Sequence, residues 1–139
     1  MRGRCKKMRV TVPWRRGGAR RGLDPYGFRR AARALGWDCR VLLIAERFGQ
    51  RLRGMMGRDA RAAVRSGLVM GFPRCSAVHT IGMACALDIA FLDATGGVLS
   101  VYEGVAPGRF VRCADACAVM ERVSGTEPFG YWALGGTVC

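Results

Sequence analysis

His79 is the chain's single histidine and its one side chain whose ordinary pKa lies near neutrality. It stands in Val78-His79-Thr80, four residues after Cys75 and nine before Asp88. Those types can form a nucleophile set, with a thiolate that attacks, an imidazole that carries the proton and a carboxylate that orients the ring. The spacing does not enforce contact, because strand residues four apart share a face but lie ~13 Å apart. Contact would need a helix or a tight turn between Cys75 and His79. Otherwise His79 reads as a structural side chain bonded through its ring nitrogens, or as a ligand-binding or proton-handling group.

Asp88 sits inside the apolar stretch Ala86-Leu87-Asp88-Ile89-Ala90. A carboxylate there must be paired or hydrogen-bonded to offset its desolvation. Arg47 and Arg58 are the candidate partners, and a ligand-facing acid is the alternative. Glu46, Glu121 and Asp93 read as turn or surface acids.

Seven cysteines, Cys5, Cys39, Cys75, Cys85, Cys113, Cys117 and Cys139, form no close CxxC pair. An odd count without an export signal argues against a disulfide framework. Cys75-x3-His79 and Cys113-x3-Cys117 could together supply four zinc ligands. The expectation is instead buried or free thiols in a hydrophobic chain. Met55, Met56, Met70 and Met83 are thioethers of the kind that suits Cu(I), but periodicity directs Met55 and Met70 to the core. No phosphate-binding loop or dinucleotide fingerprint is present, so no cofactor is implied.

The elements that must position these residues begin after Cys39. Val41–Ala45 is a strand-like apolar run, and Glu46–Met56 places Phe48, Leu52 and Met55 on one helical face. Asp59 is suited to cap a short helix over Ala60–Ser66, with Gly67 as its terminator. Leu68–Phe72 reads as a strand closed by Pro73. Ile89–Leu92 and Val98–Val105 flank Asp93-Ala94-Thr95-Gly96-Gly97, the clearest hairpin. Ala118–Val123 and Thr137–Cys139 are shorter strand candidates. The prediction is a mainly β fold, a β sandwich or partly closed barrel, with one or two short helices near the start of the domain.

Charge divides the chain. Of 139 residues, positions 1–40 carry 13 basic and 2 acidic side chains, a balance of +11, whereas 41–139 carry 10 and 8, a balance of +2. Residues 1–25 mix arginine with Gly and Pro and read as a disordered tail. Phe28, Ala31, Ala32 and Leu35 then recur at helical spacing, which predicts a short amphipathic helix over 26–36. This basic arm, 1–39, with Trp14, Tyr26 and Phe28 interleaved, is suited to phosphate backbones or an anionic membrane surface. No apolar run approaches the ~18 residues of a membrane span, and no signal-peptide pattern is seen. The expectation is a soluble cytoplasmic protein.

Several motifs then carry a resemblance. Ala45-Glu46-Arg47 followed by Gly54-Met55-Met56-Gly57-Arg58 resembles the "ER…GLM.R" opening of the bacterial and archaeal DUF192 family. Gly67-Leu68-Val69-Met70-Gly71-Phe72 is similar to its "GMLFVF" strand, and Cys75-Ser76-Ala77-Val78-His79-Thr80-Ile81-Gly82-Met83 to the variant core in which "HT..M" replaces "FWM.N". Leu87-Asp88-Ile89-Ala90-Phe91-Leu92-Asp93 with Gly97-Val98-Leu99 is similar to "LDI.F.D..G.V", and Ala118-Val119-Met120-Glu121 through Gly125 to "VLEL..G". The resemblance spans about 41–138. It departs at Met55-Met56, where Leu-Met is usual, and at Gly135-Gly136-Thr137-Val138, which lacks the acid of "GD.V". It implies a small, mainly β fold with a short helix and no assigned reaction.

Together these readings predict a DUF192-like domain at 40–139, acting as a non-catalytic or small-ligand-binding module. Its candidate pocket residues are Arg47, Met55, His79, Thr80, Met83 and Asp88. The alternatives are a thiol or hydrolytic enzyme using Cys75 and His79, and a nucleic-acid-associated protein acting through the arm.

Overall fold

The computed structural model describes residues 22–46 and 59–124, together with the backbone of Cys5–Lys6. The helix expected over Glu46–Met56, the strand expected at Thr137–Cys139, and the candidates Arg47, Met55 and Arg58 lie outside the described residues.

Helix α1 spans Pro25–Ala34. Asp24 caps it, its carboxylate accepting from the Gly27 N–H at 2.7 Å, and Pro25 supplies a φ already suited to the first turn. The helical spacing read in the sequence is real, because Phe28, Ala31 and Ala32 are fully buried. The helix read at the end of the arm is therefore a core element. Helix α2, Ala60–Ser66, begins at Asp59 and stops at Gly67, whose φ of 63° is the left-handed conformation that terminates helices.

Among the described residues there are eight strands, in chain order β1 Cys5–Lys6, β2 Val41–Ile44, β3 Leu68–Phe72, β4 Ala77–His79, β5 Leu87–Leu92, β6 Val98–Val105, β7 Phe110–Arg112 and β8 Ala118–Val123. Six make one sheet in the order β1-β6-β5-β8-β3-β2, and β4 pairs with β7 in a separate two-stranded sheet. Only β2 and β3 run parallel among the described pairs. No closed barrel forms among them, and the second sheet has just two strands. Cys5–Lys6, within the stretch read as a disordered tail, pair with Tyr102 and Val101 at the β6 edge.

The hairpin between β5 and β6 turns on Asp93. One carboxylate oxygen accepts from the N–H groups of Thr95 and Gly97 at 2.8 Å each. Gly96, at φ 84°, passes close to α1: a Cβ there would sit 2.9 Å from the Gly27 carbonyl oxygen.

Both faces of the large sheet are covered, so every residue of β3 and β5 is buried and strict alternation is lost. Parity still assigns the faces. Val69, Ala90, Leu92, Val101, Ala118 and Met120 pack with Phe28 and Trp37 on the α1 face. Met70, Phe72, Leu87, Ile89, Phe91, Val119 and Val123 form the opposite face, under Ala63 of α2 and Val78 and Val111 of β4 and β7.

Candidate functional site

Asp88 is 1% exposed and lies on the α1 face of β5. Its two oxygens are taken by different partners. One accepts from the Gly104 N–H at 2.9 Å, and the other meets Arg122 Nε at 2.9 Å. The Gly104 contact has a local cause. Leu87 pairs with Val105 but Ile89 pairs with Tyr102, so Glu103 and Gly104 bulge opposite Asp88. Gly104 takes φ 64° there, and the carboxylate receives the amide that the ladder leaves over. Arg122 pairs with Asp88 across β5 and β8, and its guanidinium lies 4.6 Å from the Trp37 ring centroid. Asp88 is thus a structural anchor, with Arg122 in the place expected for Arg47 or Arg58.

Thr80, fully buried, closes the end of β4. Its hydroxyl donates to the Ala106 carbonyl at 2.7 Å and accepts from the Arg109 N–H at 2.8 Å. Its own N–H donates to the Arg109 carbonyl at 2.8 Å, and its carbonyl accepts from Gly108 and Met83. One side chain therefore ties the 106–109 turn to the 80–83 turn, and brings Thr80 and half-buried Met83 together. Thr80→Val keeps the shape and strands both partners of the hydroxyl. Urea unfolding is expected to show a loss of about 1–3 kcal/mol, and an unchanged midpoint would show that water replaces the hydroxyl.

The remaining candidates diverge. Val78 and Cys75 pack toward the core, so His79, next to Val78 on the strand, faces outward and is exposed. The Cys75 thiol donates to the Ala77 carbonyl at 3.0 Å. His79 pairs with Phe110 at one end of the small sheet, while Cys75 and Cys113 bond through their backbones to Cys117 and Ser76 at the other. Among the described residues no three His, Cys, Asp or Glu side chains come together to hold a metal ion, and no disulfide joins Cys39, Cys75, Cys85, Cys113 and Cys117. A cavity of about 50 Å³ beside Ala63, Val64, Leu68, Arg122 and Val123 has room for only a few waters.

Glu121, read as a turn or surface acid, is instead 4% exposed in the middle of β8. It faces away from α1, between Met70 on β3 and Ile89 on β5. The residues opposite one another make a row, Tyr102, Ile89, Glu121, Met70 and Leu43, whose two ends are half-buried. No described side chain or amide bonds to the Glu121 carboxyl, and burial alone pushes its pKa up to about 7. In the neighbouring row, Ser100 pairs with Phe91, and its buried hydroxyl also lacks a partner among the described residues. Among the described residues, one face of the sheet therefore holds two polar groups without a hydrogen-bond partner.

The model of the DUF192 family, described as uncharacterized ACR, matches residues 36–126. The chain belongs to the DUF192 family. No curated protein matches it. A solved structure, a protein of unknown function from Novosphingobium aromaticivorans, is similar at 20% identity and a TM-score of 0.48. The match covers 60% of this chain and 61% of that one, so it spans about three fifths of the solved protein's length.

Within the DUF192 domain the family-like motifs do different work. The aspartate of "LDI" supports a bulge, and the threonine of "HT..M" clamps two turns. The glutamate that sequence reasoning missed carried one signal, an acid inside the apolar run Ala118-Val119-Met120-Glu121. Among the described residues no helix is long and apolar enough to cross a membrane.

Proposed function

We propose that the DUF192 domain is a non-catalytic module that binds a small, largely apolar molecule through the face centred on Glu121. The observation that carries this reading is the Glu121 carboxyl itself, buried and without a described partner in the central strand. Leaving a buried acid unanswered costs free energy, and such groups concentrate where a ligand completes them. The complementary chemistry is an apolar body with one hydrogen-bond donor, an amine above all. The separation of Cys75, His79 and Asp88 onto different faces supports binding over thiol catalysis. The described candidates Thr80 and Asp88 hold the frame, and Met83 packs at its edge.

The full chain is to be melted with a panel of alkyl and arylalkyl primary amines. A rise in melting temperature that disappears in Glu121→Gln and Glu121→Leu is expected. If no amine shifts the wild-type chain more than the leucine variant, the reading is wrong.

A further inference from the structure

The outer surface of the small sheet is a different matter from the Glu121 face and does not depend on it. Val78 and Val111 point to the core, so Ala77 and His79 on β4 and Phe110 and Arg112 on β7 point out. His79 stands directly opposite Phe110, and Ala77 opposite Arg112. Phe110 is 67% exposed. Ile81, 62% exposed, adjoins it because Thr80 is bonded to Arg109 on both sides. Arg109 and Arg112 bracket the phenylalanine, and Arg74 leads into β4. Segments 74–82 and 106–113 contain no acidic residue. None of these three arginines pairs with a carboxylate among the described residues.

We propose that this face binds single-stranded nucleic acid, with a base stacked on Phe110 beside His79 and the phosphate held by Arg112, while Arg109 and Arg74 add positive charge at the ends of the two strands. Two flat rings lie side by side on a pleated surface, with one cation, Arg112, about 6.6 Å along the same strand as Phe110. A stacking platform requires that arrangement, because every base has a π face and every nucleotide a charge. An interfacial membrane site would instead need a broad apolar face of several large side chains, and Phe110 and Ile81 are the two exposed here among the described residues.

The test is fluorescence anisotropy of a fluorescein-labelled oligothymidylate with the full chain across a salt series. The arm also carries charge, so total affinity is not the readout. Phe110→Ala is expected to weaken binding about tenfold while leaving the salt slope unchanged. Arg112→Ala is expected to flatten the slope of log K against log salt by about 0.7. Both positions are exposed, and unchanged thermal melts confirm that the variants fold. The proposal is overturned if both variants bind like the wild type, which would place all binding elsewhere. It is equally overturned if Phe110 matters for phosphatidylserine vesicles and not for the oligonucleotide.

Discussion

Replacing Arg122 by alanine is expected to cost the domain about 3–5 kcal/mol, the usual loss when one half of a buried ion pair is removed. Asp88 is 1% exposed and Arg122 15%, so water cannot readily replace the guanidinium. The arginine also gives up its stacking on Trp37 at 4.6 Å, which ties the α1 end of the chain to β8. Against a stability of about 5–15 kcal/mol for an ordinary domain, that loss approaches unfolding. Asp88→Asn should cost less, since its amide oxygen can still accept from Gly104. The double variant Asp88→Leu with Arg122→Met should recover most of the loss, because no buried charge is left alone. Urea unfolding of the three variants checks the order. A double variant no better than Arg122→Ala would mean that the Gly104 contact, and not the ion pair, holds this end of the sheet.

Glu121 sets the second large effect, and it depends on pH. Its pKa of about 7 in the fold stands against 4.5 when solvated. Between those values the folded chain holds a proton that the unfolded chain releases, so stability falls as pH rises. The difference is worth about 3 kcal/mol, fully felt only above the folded value. Glu121→Gln has the same shape and nothing to ionise. Unfolding curves taken from about pH 4 to about pH 8 should show the glutamine variant drawing ahead of the wild type by that amount. Parallel curves would mean that the carboxyl is solvated or paired. A ligand that supplies a cation to the carboxylate would reverse part of the loss, most strongly at the alkaline end.

Which of these features are legible in the sequence depends on the range of the interaction. Asp24, Asp59 and Gly67 act within one helical turn, and the Asp93 turn within five residues, so composition and spacing reveal them. The mainly β character, the apolar run of β3 and the Ile89–Leu92 part of β5 are visible for the same reason. Strands β4 and β7 have three residues each, too few for an alternating pattern to stand out. Thr80, outside both strands, bonds the turn at their shared end through contacts 26 and 29 residues apart. Arg122 and Asp88 meet across 34 residues through strand pairing, which no local spacing encodes. Glu121 reads as a surface acid because a charged residue in a short strand usually marks the solvent side. A central strand covered on both faces has no such side.

The position of β8 also bears on how the protein is made. It lies between β5 and β3, so the last described strand to leave the ribosome fills the middle of the sheet. Until Val123 has emerged, β3 and β5 each carry an apolar edge with its amides and carbonyls open to any passing strand. Phe72 must wait for Val119, and pairings of such sequence separation close slowly. During synthesis the nascent chain is therefore a candidate for chaperone capture until β8 arrives to seal both edges at once.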